Sequence, residues 1–317
     1  EIGNEPELGG IGTYIQNHYV SPTDFKVRYK AIAEAMKAVD PSVKLGPCTL
    51  TPNNTTTQEY LAHLLSDPEI PVNFLGFHPY YGTLYYVYLY NWGSPDVLEQ
   101  LESGLRGLKT YQENVASTIL GFSASNGFDT SIPWIASEWN SSDWRGTWTP
   151  LGKCMTHALG VAEGIFVFAN LGYLGAHYWE QPSVGPQGYK MFEVLQDHMG
   201  DHLINSYTDG YNFRLYTTRF RNWSKIVLWG INFSDSENKE LDIGFTHFPF
   251  SVRRVTKMQL GVVGADSGLK SSAGVNWTST DITGIDLRDF SVTFEDATVT
   301  AIVIETEGAS VRWLDYD

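Results

Sequence analysis

The sequence predicts an α/β region over residues 1–200 followed by an all-β region over residues 201–317. Two observations carry this division. Before about residue 200, short β-like apolar runs alternate with amphipathic helical stretches, the signature of parallel βα units. After it, alternating or β-branched runs are separated by Gly, Asn, Asp and Ser, which is the texture of antiparallel strands packed as a sandwich. No long linker separates the two regions, so they are expected to pack closely.

The first strand-like run ends at Glu5. A helix follows, opened by Ser21 as a capping hydroxyl, Pro22 at the first helical position and Asp24 in the first turn, and closed by Asp40 and Pro41. Phe25, Ile32, Met36 and Val39 recur along it at helical spacing and are expected to form its buried face. Lys44–Gly46 reads as the next strand, and residues 58–65 as the next helix. A strand over Val72–His78 then leads to a helix started by Ser94 and Pro95 and running to about Val115. Ile132–Glu138 reads as a strand, Thr149 and Pro150 as the start of a long helix ending near Leu171, and Tyr173–Trp179 as the last strand of the series. In the second region Phe213–Tyr216, Ile226–Trp229, Val252–Met258, Val292–Phe294 and Val299–Ile304 are the strand candidates.

Composition narrows the function. A chain of 317 residues that is 42% hydrophobic can bury a large core. A formal net charge of −15 opposes binding to nucleic acid or to an anionic membrane surface, and no apolar run reaches the length of a membrane span. The two cysteines, Cys48 and Cys154, offer neither a disulfide framework nor metal-ligand spacing, so no metal and no cofactor is expected. Whether they pair is open at this stage. Asn53, Asn54, Asn140, Asn222, Asn232 and Asn276 each begin an Asn-x-Ser/Thr triplet, which together favour a secreted, N-glycosylated protein.

Two glutamates stand at the ends of strand-like runs, Glu5 in Ile2-Gly3-Asn4-Glu5-Pro6 and Glu138 in Ile135-Ala136-Ser137-Glu138-Trp139. Paired carboxyl groups on rigid strand ends suit glycosidic bond cleavage, which requires one acid for the leaving oxygen and one nucleophile for the anomeric carbon. Aromatic residues cluster nearby, in the stretch from Tyr80 to Trp92 and at Trp144 and Trp148. Such rings can stack on the apolar faces of sugars at an open site.

These motifs resemble the catalytic segments of the retaining glycoside hydrolases of clan A, including the families of β-xylosidases, arabinofuranosidases and heparanase relatives. The resemblance implies the C-terminal part of a (β/α)8 TIM barrel, strands four to eight, followed by a β-sandwich domain. It implies Glu5 as acid/base at the end of the fourth strand and Glu138 as nucleophile at the end of the seventh. It also implies that Asn4 contacts the sugar 2-hydroxyl, that His78 and Tyr80 contact the substrate or hold the nucleophile, and that Trp179 stacks on the sugar. Trp139 and Trp144 are further substrate-contacting candidates, whereas Glu7 reads as a neighbouring surface acid. Side chains at strand ends converge on the C-terminal face of such a barrel, where the two carboxyl groups are expected about 5 to 6 Å apart.

In the resemblance, the fourth-strand motif falls at residue 1, so the barrel front is missing from this sequence. Five strands cannot close an eight-stranded barrel. A second polypeptide, an upstream segment or a second copy is therefore expected to complete it. The reading is a retaining O-glycosidase acting on a polysaccharide or oligosaccharide. A non-catalytic carbohydrate-binding or wall-structural protein and a transglycosidase are the alternatives.

Overall fold

The computed structural model describes residues 1–8, 20–50, 54–80, 94, 96–140, 154–179, 186–209, 212–246, 248, 250–262, 268–271 and 274–307. They form two compact units. The first comprises Glu1–Tyr81, Lys109–Asn140 and Val167–Trp179; the second comprises Gly82–Leu108, Ser141–Phe166 and Glu180–Asp317. The division runs through two long helices and places part of the α/β texture, residues 82–108, 141–166 and 180–200, with the all-β region.

The first unit is built on a parallel sheet of β1 (Cys48–Thr49), β2 (Leu75–Phe77), β3 (Trp134–Trp139) and β4 (Gly175–Tyr178), in that order. Ile2 adds a fifth parallel position through an isolated bridge to Pro47. The strand after the first helix therefore pairs at Cys48–Thr49, just beyond the Lys44–Gly46 run. Gly76 in β2 has space for hydrogen only, because a Cβ there would lie 2.7 Å from the Pro47 carbonyl oxygen and 3.2 Å from Ser137 Oγ.

Helix α1 (Pro22–Val39) begins as expected: Ser21 Oγ accepts from the Asp24 N–H at 3.1 Å, with proline in the first turn. Its buried face differs from the expectation. Phe25, Tyr29 and Ala33 pack with Ile2, Leu45, Tyr60, Leu64 and Ile70, whereas Ile32, Met36 and Val39 are exposed, Val39 at 88%. Asn54 caps α2 (Thr55–Leu65) by accepting from the Thr56 N–H at 2.9 Å.

Helix α3 (Val97–Ser125) runs about three turns past the expected end. Its Glu102–Arg106 and Lys109–Glu113 pairs sit at i,i+4 spacing, and Asn126 and a left-handed Gly127 close it. Val115 and Ile119 bury against Leu61, Leu75 and Phe77 beneath the parallel sheet. Helix α4 spans Met155–Asn170, and the expected Thr149–Pro150 start lies outside the described residues. The Met155 and Thr156 N–H groups are satisfied by the carbonyls of Ser271 and Leu269.

The second unit holds a helix absent from the sequence expectation, α5 (Pro186–His198), which buries Met191, Val194 and Leu195 at i, i+3, i+4 spacing. The strands are β5 (His202–Asp209), β6 (Phe213–Arg219), β7 (Lys225–Asn232), β8 (Lys239–Ile243), β9 (Val252–Val262), β10 (Val275–Asp281), β11 (Phe290–Phe294) and β12 (Thr298–Thr306). Six of them form an antiparallel sheet in the order β10-β9-β12-β7-β6-β5, and β11 pairs with β8. Phe213, Ile226, Leu228, Val255, Ile302 and Ile304 of the large sheet pack with Phe290, Val292 and Phe294 of the small one, giving a sandwich core.

Strand β7 is buried on both faces. Behind it, Phe166 stacks on Tyr216 at 4.8 Å and tilts against Trp229. Glu163 is buried there, accepting from Arg214 Nε at 3.3 Å and from the Tyr216 hydroxyl at 2.9 Å. No helix among the described residues is long and apolar enough to cross a membrane.

Candidate active site

The parallel sheet brings Glu5, His78, Tyr80, Glu138 and Trp179 to one face of the first unit. Each follows or ends a strand position at its C-terminal end, the side on which barrel enzymes carry their chemistry. Glu5 sits just past the Ile2 bridge with φ +44°, an uncommon backbone conformation for a residue with a side chain. Its N–H donates to the Cys48 carbonyl at 3.1 Å, which fixes this turn against β1.

His78 lies between the two glutamates. Its Nδ1 is 2.5 Å from Glu5 Oε1 and 3.5 Å from Glu138 Oε2, and its side chain is fully buried. One atom each of Glu5, His78 and Glu138 lies within 4.8 Å of the others. This spacing is ion-sized; within it His78 is hydrogen-bonded to Glu5, and Glu138 is hydrogen-bonded to Tyr80. Tyr80 donates to Glu138 Oε2 at 2.6 Å and meets both His78 and Trp179 edge-on. Burial pushes the His78 imidazole down. Its hydrogen bonds to Cys48 and Glu5, with the charge of Glu138, outweigh burial and raise it from the ordinary 6.5 to about 10.

Trp179 is half-buried and held through its backbone. Its N–H donates to the Trp139 carbonyl at 3.0 Å, and its own carbonyl accepts from Asn140 Nδ2 at 3.1 Å. Asn4 is exposed beside Glu5, with its Oδ1 3.7 Å from Cys48 Sγ. Trp144 and the aromatic stretch from Tyr81 to Trp92 lie outside the described residues.

Two expectations are corrected. Trp139 is 1% exposed and packs edge-on against Phe168 and Tyr178, so it is a core residue and not a sugar platform. Strand alternation explains this, because residues next to each other on a strand point to opposite faces. Glu7 is buried rather than a surface acid. Its Oε1 accepts from the Leu50 N–H at 2.6 Å and from the Thr57 hydroxyl at 2.9 Å, and burial raises its pKa. It fastens the turn after Glu5 to the connection between β1 and α2.

Cys48 and Ser137 are site neighbours that the sequence reading did not single out. Both cysteines are buried and they are not joined in a disulfide. Two of the six glycosylation triplets are also sequestered. Asn140 is buried and bonded to Trp179, and Asn232 is buried with Nδ2 donating to the Glu237 and Phe294 carbonyls.

No family model and no curated protein matches this chain by sequence. Solved structures do match by shape. A family 51 α-L-arabinofuranosidase from Thermotoga petrophila RKU-1 superposes over 96% of this chain and 65% of its own, at 16% identity and TM-score 0.66. A family 44 xyloglucanase from Paenibacillus polymyxa does so over the same shares at 12% identity and TM-score 0.71. A family 44 endoglucanase from Clostridium thermocellum matches over 96% and 65%, at 15% identity and TM-score 0.71. The chain thus has the fold of clan A glycoside hydrolases, the group its motifs resemble, and spans 65% of the length of these structures.

Proposed function

We propose that this protein is a retaining O-glycosidase in which Glu138 is the nucleophile and Glu5 the acid/base. The supporting observation is that one oxygen of each carboxyl group lies within 4.8 Å of the other and of the His78 ring. That separation suits direct attack by one carboxylate, whereas an inverting pair stands about 6.5–9.5 Å apart to admit a water. Glu138 attacks the anomeric carbon as Glu5 gives a proton to the departing oxygen, leaving a glycosyl ester on Glu138. Glu5 then takes a proton from water, which attacks the same carbon and releases Glu138.

The surrounding groups have parts in this scheme. The Tyr80 hydroxyl, 2.6 Å from Glu138 Oε2, holds the nucleophile with its other oxygen free to attack. His78 spans the two carboxyl groups, Asn4 is placed for the sugar 2-hydroxyl, and Trp179 offers a ring for stacking. The substrate is a polysaccharide or oligosaccharide; the arabinofuranosidases and xyloglucanase of similar fold make pentosides and xyloglucan fragments the first candidates. No metal or other cofactor has a part.

Among the described residues the parallel sheet ends at the Ile2 bridge on one side and at β4 on the other, and further strands at these edges would complete the barrel. Secretion with N-glycosylation is part of the same reading, carried by the exposed Asn54, Asn222 and Asn276. Glycopeptide mapping of secreted protein should find sugar at one or more of these three and none at Asn140 or Asn232.

Aryl glycosides with graded leaving groups test the roles. Glu138→Ala should lose turnover, with azide restoring part of it as an inverted glycosyl azide. Glu5→Ala should spare good leaving groups, which need less protonation. Chelator should change nothing. Equal behaviour of the two variants across the series would overturn the assignment.

A further inference from the structure

Cys48, at the start of β1, touches the segments that carry Glu5, His78 and Glu138. Its carbonyl accepts from the Glu5 N–H at 3.1 Å. Its sulfur lies 2.9 Å from His78 Nε2, 3.6 Å from Ser137 Oγ and 3.7 Å from Asn4 Oδ1. The residue is 1% exposed, so these neighbours and not water complete its surroundings. In sequence the three side-chain partners are 30, 89 and 44 positions away, and they sit on three different segments of the sheet.

The chemistry of the His78 ring explains what a thiol does there. Nδ1 faces oxygens of two carboxyl groups, so it carries a hydrogen and donates. The role of Nε2 then depends on the ring's charge: an acceptor when the imidazole is neutral, a donor when it is an imidazolium. A thiol has one hydrogen and free lone pairs, so it can serve Nε2 in either state. Glu5 must alternate between acid and carboxylate during the two half-reactions, and the ring it contacts meets a different partner in each. A side chain that accepts only or donates only would leave Nε2 unsatisfied in one of them.

We propose that Cys48 is a positioning residue for the acid/base: its thiol holds the His78 ring through Nε2 and its backbone holds the Glu5 turn, keeping the His78–Glu5 contact in register through both half-reactions. This rests on the glycosidase reading for its purpose but not for its geometry. Cys48 touches no substrate in this account and acts through His78.

The test joins a spectroscopic readout to kinetics, using the whole protein with Cys48→Ala and Cys48→Ser and a thermal melt to verify folding. Histidine is labelled with ¹⁵N and the His78 signals are identified by their loss in His78→Gln. In the wild type the Nδ1 signal should be that of a protonated nitrogen in a single ring state. In Cys48→Ala the Nε2 signal should shift while Nδ1 remains a protonated nitrogen, and in Cys48→Ser, which keeps a donor and an acceptor, both should stay near the wild type. With aryl glycosides, Cys48→Ala should lower kcat about tenfold with little change in KM, and Cys48→Ser should recover part of it.

Unchanged His78 signals in folded Cys48→Ala would overturn the proposal. If Cys48→Ala does not fold, Cys48→Ser decides alone, and an Nε2 signal displaced from the wild-type position in it would overturn the proposal as well. An inactive wild type with the predicted ring signals would contradict the glycosidase reading and leave the Cys48–His78 geometry supported.

Discussion

Tyr80 donates its phenolic hydrogen to Glu138 Oε2 at 2.6 Å, a bond between residues 58 positions apart in sequence. The connection joins the end of β2 to the end of β3 and leaves the second Glu138 oxygen available. It also settles which way the carboxylate faces, since Tyr80 and His78 both approach the same oxygen.

Removing that hydroxyl isolates its contribution. A hydrogen bond to a charged group contributes about 1.5–3 kcal/mol, so Tyr80→Phe should lower kcat by roughly one to two orders of magnitude. The loss should fall on formation of the glycosyl-enzyme, which steady-state rates with poor and good leaving groups separate. An unchanged kcat would mean that the bond has no part in presenting the nucleophile.

His78 predicts a pH dependence of stability with a definite sign. Its pKa rises on folding from the ordinary 6.5 to about 10, so the folded state holds the proton more tightly. Its stabilisation is therefore fully present below about pH 6.5 and is lost as pH rises through about 10. Melting temperature measured from pH 6 to pH 10.5 should fall more steeply in the wild type than in His78→Gln. Parallel curves would contradict this.

How much of this was legible in the sequence depends on how local each signal is. Glu5 and Glu138 could be found because each closes a short apolar run and brings its motif with it, and the Ser21–Pro22 helix start was equally local. On α1 apolar residues occupy both sides: Phe25 is buried as expected, whereas Tyr29 and Ala33, the other buried residues, do not stand out beside Ile32 and Met36. Trp139 could have been excluded by strand alternation once Glu138 was taken to face the site. Cys48 could not have been found, since its meaning comes only from partners distant in sequence. Helix α5 is signalled by the spacing of Met191, Val194 and Leu195, a short period at the junction of the two textures that does not stand out from either.

The second unit carries a buried ion pair whose disruption should be costly. Glu163 and Arg214 have side chains 0% and 5% exposed, joined at 3.3 Å. Arg214→Met would remove the cation that faces the buried Glu163 carboxylate, at a cost of about 3–5 kcal/mol. The double variant Glu163→Gln with Arg214→Met should regain much of that loss in denaturant titration. If the single variant unfolds at the wild-type midpoint, the pair carries no such charge coupling.

The central claim is a covalent bond between the sugar and Glu138. A 2-deoxy-2-fluoro glycoside with a good leaving group forms such an ester and releases it slowly, so intact mass followed by peptide mapping reads it directly. The account predicts one added glycosyl unit on the peptide that carries Glu138, absent in Glu138→Ala, with turnover of ordinary substrate giving retained anomeric configuration. Turnover with inverted configuration, or an adduct on any residue other than Glu138, would contradict it.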